Sequence, residues 1–242
     1  MELAEYGQME KQEQHYWWHI GRRRVLQKVL ASHLPIGGQL EILDIGCGTG
    51  VNYWWLKKWG RVAGVDPSPE ALAFCREQHA YDELLQIDGT ELGITSEYDL
   101  AVAFDVLEHI ENDKVALRSW WQALKPGGYL MITVPAHQWL WSAHDKALHH
   151  FRRYSVGELR AKFRETGFAV QFISPFFFFT FPLVVLVRFL TKGAKPKTSY
   201  VATSSWVDKI LISFSRLEAN YLAKGRGFPW GSSVVVVARK NV

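Results

Sequence analysis

Short apolar runs alternate with amphipathic stretches through the first two thirds of the chain. The pattern predicts strands at 41–45, 61–65, 84–87, 98–104 and 129–134, with helices at 50–59, 69–78 and 112–124 between them. Strands that alternate with helices pair in parallel, so the period alone predicts an α/β sheet covered on both faces. In the 112–124 helix, Ala116, Leu117, Trp120, Trp121 and Leu124 share one face, and Pro126-Gly127 stops it, so its tryptophans are expected in the core. Ser155-Val156-Gly157-Glu158 has capping-box spacing and opens another helix that ends at Gly167, followed by a strand from Phe168 to Ile173. A last strand is predicted at 232–238.

The stretch before that last strand is too long for a hairpin loop and predicts an inserted element. It holds the apolar run from Phe176 to Leu190, a Lys/Gly/Pro hinge at Lys192–Pro196 and a helix from about Ser204 to Ala223. That helix gathers Val207, Ile210, Leu211, Phe214, Leu217 and Tyr221 on one side, and the two apolar-faced helices are expected to fold together. Phe176-Phe177-Phe178-Phe179 is apolar all round and needs cover from protein, from a greasy ligand or from a membrane surface. At the other end, a polar lead and the aromatic cluster Tyr16-Trp17-Trp18 precede a helical face of Val25, Leu26, Val29, Leu30 and Leu34. The organisation read from this is one domain: a helical cap at 1–34, a core at 35–174, a helical insert or lid at 175–230 and a final strand at 231–242.

Composition narrows the class. With 242 residues, 48% hydrophobic, the chain suits one large domain with an elaboration. Cys47 and Cys75 cannot build a disulfide framework, and the acidic N-terminus lacks a secretory h-region, so a reducing cytoplasm is the expected compartment, with peripheral membrane contact through the insert. The most apolar run contains Pro182 and is too short to span a bilayer. A net charge of +4 permits an anionic partner, but outside Arg22-Arg23-Arg24 and Arg152-Arg153 the basic residues are dispersed.

The most informative chemistry lies in Glu41-Ile42-Leu43-Asp44-Ile45-Gly46-Cys47-Gly48-Thr49-Gly50. Glycines at alternate positions after a strand let the backbone turn tightly and approach a flat ligand. Asp66, closing the next strand ahead of Pro67, is placed to accept ribose hydroxyls. The spacing is G-x-G-x-G, not the G-x-G-x-x-G of dinucleotide folds, and Asp44 would repel a pyrophosphate while suiting an ammonium and a sulfonium. That charge logic favours S-adenosylmethionine over NAD.

These residues resemble the first motif of the class I S-adenosylmethionine-dependent methyltransferases, hydrophobic-Asp-x-Gly-x-Gly-x-Gly. The resemblance continues through Ile87-Asp88-Gly89, where the family approaches the adenine, through the fourth strand ending Phe104-Asp105 with Val106-Leu107-Glu108-His109 after it, and through the Pro126-Gly127-Gly128 turn. It implies a Rossmann-like, doubly wound, seven-stranded, mostly parallel sheet with the last strand antiparallel, and S-adenosylmethionine as cofactor, leaving as S-adenosylhomocysteine. A narrower resemblance, to a bacterial subgroup, rests on Trp141-Ser142-Ala143-His144-Asp145, His150-Phe151-Arg152-Arg153-Tyr154 and the 228–233 segment.

The loop after the fifth strand is the densest polar and aromatic constellation in the chain, and it leaves the sheet edge where α/β folds bind ligands. His144 beside Asp145 is a candidate base, with His109 a second. Arg152 and Arg153 are candidates to hold an acidic group of the acceptor or to pair structurally, and Tyr16, Trp17, Trp141, His150 and Tyr154 are candidates to line its site. Asp105-x-x-Glu108-His109 has the spacing to share one face of a helix start, and some quinone-pathway and RNA methyltransferases bind metal through a similar Glu-x-x-Glu-His; the alternative is a metal-free pocket wall. The expected acceptor is small and hydrophobic or lipid-like, methylated on oxygen or carbon. Nucleic acid is disfavoured, because Phe104-Asp105-Val106-Leu107 replaces the Pro-Pro motif of base methyltransferases. The remaining alternative is a membrane-surface lipid-binding protein that keeps the cofactor fold.

Overall fold

A computed structural model describes residues 3–34, 39–79, 81–190 and 204–241. The expected hinge at Lys192–Pro196 lies outside them. Seven strands form one sheet: β1 (Leu40–Ile45), β2 (Gly60–Val65), β3 (Glu83–Leu85), β4 (Tyr98–Phe104), β5 (Leu124–Pro135), β6 (Phe168–Phe176) and β7 (Ser233–Lys240). Their order is β3-β2-β1-β4-β5-β7-β6, parallel except for β7, which runs antiparallel to both neighbours. The order reverses between β1 and β4, and the crevice at such a switch point is where open α/β sheets bind ligands.

Residue alternation assigns the central strands two buried faces. Leu43, Ile45, Ala101, Ala103, Val234 and Val236 point to one side, under α5 (Asp113–Ala123) and α7 (Val156–Glu165), whose Trp120, Leu159 and Phe163 are fully buried. Ile42, Leu100, Val102, Val235 and Val237 point to the other, under α2 (Trp17–His33) and α9 (Ser205–Leu222). This is why the central strands read as nearly continuous apolar runs.

Several expected boundaries move. The helix expected over 50–59 is only α3 (Tyr53–Leu56), because Gly60 already enters β2 so close to Leu40 that a Cβ there would lie 1.9 Å from the Leu40 carbonyl oxygen. The strand at 84–87 shortens to β3, and β6 and β7 run longer than their patterns suggested. Trp121 is half-buried at the sheet margin, donating to the Gly167 carbonyl at 3.2 Å, while Trp120 is core as expected.

The cap is two helices, α1 (Leu3–His15) and α2, and α4 (Pro69–Gln78) lies beside the first. In the insert, α9 lies along α2 as its principal neighbour. The closest fit is at Gly21, where a Cβ would sit 2.4 Å from Ser215 Oγ. α8 (Phe181–Leu190) instead covers the loop after β5, with Phe181 against His137 and Trp139 and Arg188 hydrogen-bonded to Ser142. The remaining helix, α6 (Ala143–Ala147), lies within that loop. Phe176 and Phe177 are fully buried, so protein covers the first half of the Phe run.

Candidate active site

The cofactor half of the site grows from β1 and β2. Gly46, Gly48 and Gly50 take φ of 68°, 54° and 76°, the left-handed region that glycine alone enters freely. A Cβ on Gly46 would lie 2.7 Å from Val106 Cγ2, whereas one on Gly48 would meet nothing closer than 3.9 Å, so the turn is open on that side. Asp66 braces the turn by accepting the N–H of Gly48 at 3.0 Å and of Ser68 at 2.9 Å, one on each oxygen. Each oxygen retains a lone pair for a ribose hydroxyl. Asp44 is buried beneath the turn and accepts the Tyr81 hydroxyl at 2.9 Å; burial pushes its carboxyl up to about 7. Cys47 is a buried filler, and the Cys75 thiol donates to the Gly48 carbonyl at 3.3 Å.

Farther along the edge, Pro67 and Asp88 are exposed. Gly89 is held by Trp120, whose indole N–H donates to its carbonyl at 2.7 Å. Phe104 stacks on Trp55 with centroids 5.9 Å apart, forming an apolar wall. A glycine turn, a ribose-facing acid, a buried acid and an apolar wall fit an adenosine bearing a cationic amino-acid tail.

The N-terminal helices close over this half through pairings that the sequence did not single out. Thr49 hydrogen-bonds to Glu13, Glu10 lies 3.5 Å from His79, and the Tyr6 hydroxyl meets Ser68 Oγ at 3.0 Å. Arg22, buried and stacked under Trp18, pairs with Asp105, which also accepts the Thr133 hydroxyl at 3.1 Å. Isolated charges on amphipathic helices carry no local signal, because their partners are fixed by tertiary packing. Tyr16 is half-buried, and Trp17 is buried against Phe177, centroids 6.0 Å apart, as a staple between cap and core.

The acceptor half is built by the loop after β5, which closes on itself through a bridge between Ala136 and Tyr154. Among the described residues, five non-glycine residues take positive φ, and three of them lie at this edge, Asp105 in the turn after β4 and His137 and His149 in the loop after β5. Most of the expected acceptor ligands are engaged by protein. Arg152 reaches Asp113 at 2.9 Å and the Glu111 carbonyl at 2.6 Å. Arg153 is buried, donating to Asp145 at 2.7 Å and the Ala136 carbonyl at 3.1 Å. Tyr154 is fully buried with its hydroxyl 3.0 Å from Asp113. Trp141 is half-buried at the turn into α6.

Asp145 does not orient His144. It closes a capping box with Ser142 at the start of α6 and accepts His150 at 3.2 Å and Arg153 at 2.7 Å. Burial alone would raise its carboxyl, but the hydrogen bonds and charges of His150 and Arg153 hold it well below the usual carboxylate range. The Ser142-x-x-Asp145 spacing carried that signal. His144 is held neutral, pushed down to about 4 by burial and by Arg188.

The cluster that does assemble is Glu108, His109 and His150. The Phe151 N–H donates to the Glu108 carbonyl at 2.8 Å, which draws the loop against the turn after β4 and brings the two histidine rings to 4.6 Å. One ligand atom from each of the three residues lies within 4.8 Å of the others. Glu108 is fully buried, its Oε2 has no hydrogen-bond partner, and burial with nearby Asp105 pushes its carboxyl well up. Burial and His150 lower His109 to about 4. Of the Asp105-x-x-Glu108-His109 spacing read from the sequence, Asp105 is taken by Arg22, and His150 stands with Glu108 and His109.

Comparison with known proteins agrees with this geometry. A family model described as a methyltransferase domain matches residues 17–171, and the chain belongs to that family, within the class I S-adenosylmethionine-dependent methyltransferases. It is similar to the mitochondrial ubiquinone biosynthesis O-methyltransferase of Mus musculus, 32% identical over 45% of this chain and 32% of that protein. It is similar also to the malonyl-[acyl-carrier protein] O-methyltransferase of Enterobacter lignolyticus, 28% identical over 56% of this chain and 57% of that one. The chain's match therefore spans between a third and just over half of these relatives. An S-adenosylmethionine dependent methyltransferase from Mesorhizobium loti shares the fold, with a TM-score of 0.58 at 20% identity over 88% of this chain and 95% of that one. Among the described residues, no helix is long and apolar enough to cross a membrane.

Proposed function

We propose that the protein transfers a methyl group from S-adenosylmethionine to a hydroxyl or carboxyl oxygen of a small acceptor with an apolar body. The observation that carries this reading is the convergence of Glu108, His109 and His150 just past the Phe104-Asp105 end of β4. When bound, S-adenosylmethionine supplies an electrophilic methyl on a sulfonium. The chain's own task is to align the acceptor oxygen, exclude water and receive its proton. His109, lowered to about 4 by burial and His150, stands neutral where it can accept a hydroxyl proton, and burial shifts the Glu108 carboxyl toward its neutral form, which can donate a hydrogen bond without adding charge. The cap and α8 cover the two sides of this edge, which suits an apolar acceptor, and O-methyl transfer is the chemistry in the names of both relatives.

Incubating the purified protein with methyl-labelled S-adenosylmethionine and a cell extract is expected to place label in small organic-soluble products. His109→Ala and His150→Ala should lower turnover about a hundredfold with cofactor binding unchanged. Label confined to protein or nucleic acid, or full turnover by both variants, would overturn the reading.

The unpartnered Glu108 Oε2 supports a second reading, in which the same three residues hold a divalent cation. One carboxylate and two imidazoles suit zinc or a similar ion, which would lower the pKa of an acceptor hydroxyl. Elemental analysis of the purified protein and thermal shift with added Zn²⁺ or Mg²⁺ test it. Bound metal and a stabilising shift, both lost in His150→Ala, are expected; activity insensitive to chelators would count against it.

A further inference from the structure

α9 carries two apolar stripes, and only one is covered. Leu211, Ser215, Glu218, Ala219 and Leu222 are buried, on the side that lies along α2. At 100° per residue, Trp206, Ile210, Phe214, Leu217 and Tyr221 form a second stripe about a third of a turn away. All five are exposed, Trp206 at 67% and Leu217 at 57%. α8 repeats the arrangement: Arg188 faces the loop at Ser142, while Leu183, Leu186 and Phe189 lie open.

Aromatic stacking joins this surface to the rest of the molecule. Phe179 meets Phe214 at 5.4 Å, Tyr221 meets Phe228 at 4.7 Å, and Phe178 meets Trp230 at 5.4 Å. Between them lies an open apolar groove of about 410 Å³. Scattered apolar residues on a surface need no explanation, but a continuous field of this size marks an interaction surface.

The charges around the field select its partner. Lys209, Arg216, Lys224 and Arg226 are exposed, and among the described residues none of them is ion-paired. The acids of α9 do not balance them: Glu218 is buried and accepts the N–H groups of Phe177 at 2.7 Å and Phe179 at 2.9 Å, and Asp208 is half-buried with an interaction of its own. On the helix, Lys209 and Arg216 lie together roughly 100–120° to one side of the stripe, where a basic side chain can lay its stem along an apolar surface and keep its charge at headgroup level. A second copy of the chain across a two-fold axis would set these cations against one another. An anionic bilayer would pair them, and the tryptophans and tyrosine suit its interface.

We propose that the α8–α9 face is a docking surface for anionic lipid bilayers, with the outward stripes entering the headgroup boundary and the four cations pairing with lipid phosphates. Docking is independent of which acceptor is methylated. The test is flotation of the full chain with vesicles of phosphatidylcholine alone and of phosphatidylcholine mixed with phosphatidylglycerol, with sedimentation in their absence. The protein is expected to float with the mixed vesicles and stay behind with the neutral ones. Trp206→Glu with Leu217→Glu should lower the bound fraction at least about tenfold, with circular dichroism unchanged. Lys209→Ser with Arg216→Ser, which leaves the apolar stripe intact, should lower it by about fivefold for each cation lost, an effect that high salt also produces.

Failure of the unaltered protein to bind mixed vesicles overturns the proposal, as does unchanged binding by both double variants. A dimer that binds no vesicle and dissociates in the Trp206/Leu217 variant would reassign the face to contact between copies.

Discussion

The two halves of the site use charge in opposite ways. In the cofactor half, carboxyls stand under or beside a glycine turn with little cationic company: Asp44 has a phenol for a partner and Asp66 has backbone N–H groups. In the acceptor half two buried carboxylates are paired with cations, Asp145 by Arg153 and His150, Asp113 by Arg152 and Lys162. The first arrangement leaves electrostatic demand for a ligand to meet. The second satisfies itself and acts as scaffold, leaving Glu108, His109 and His150 as its open chemistry.

The strongest way to break this contrast is Arg153→Ala. Removing one partner of a buried pair strands Asp145, and the expected loss is about 3–5 kcal/mol of folding stability, read from urea denaturation. A stable variant whose only defect is a raised KM would instead make Arg153 an acceptor ligand and erase the difference between the halves.

Gly46→Ala probes the other side. A left-handed alanine costs about 1–2 kcal/mol and its Cβ would press on Val106, so cofactor affinity measured by calorimetry should fall about thirtyfold or more, with a melting shift of only a few degrees. Undiminished affinity would remove the turn from the binding site.

A smaller effect follows from Asp44, raised from 3.8 to about 7. Its folded-state pKa exceeds its unfolded one, so the folded protein holds a proton that the unfolded chain releases, and stability falls as pH rises from about 4 through 7. A cofactor ammonium nearby favours the ionised form. Below pH 7, binding should therefore release a proton and weaken about tenfold per pH unit, measurable by calorimetry in buffers of different ionisation heat. Pure pH independence would show that Asp44 does not sense the cofactor.

The same contrast explains what could be read from the sequence. The cofactor half was legible because its parts are local: strand, glycine turn and acid follow one another along the chain. The sheet was legible because both of its faces are buried and its strands announce themselves as apolar runs. The acceptor half was read as a loop of candidates without a working order among them. His150 joins Glu108 and His109 across more than forty positions through one backbone hydrogen bond from Phe151, which no pattern encodes. Glu13 was missed for the same reason, and Arg22 was read only as part of a basic run, because the partners of both lie on other elements. The insert was recognised as an insert, but its second helix found its partner in the cap, as the small residue at Gly21 allows.

The pairing of α2 with α9 also sets an order of assembly. Contacts between elements so distant along the chain have a high loop-closure cost and form late. During synthesis strands β1 to β5 and the glycine turn can fold first, while β6 waits for β7 and α2, made near the start, waits for a helix that leaves the ribosome almost two hundred residues later. A chain truncated before Ser205 also lacks β7, so it should retain only the parallel β1–β5 part of the sheet and should expose Arg22 and Val25 to rapid amide exchange; uniform protection of α2 in the truncated chain would dismiss that order. A cell that interrupts translation late would hold a chain whose glycine turn and parallel strands are folded and whose cap has yet to close.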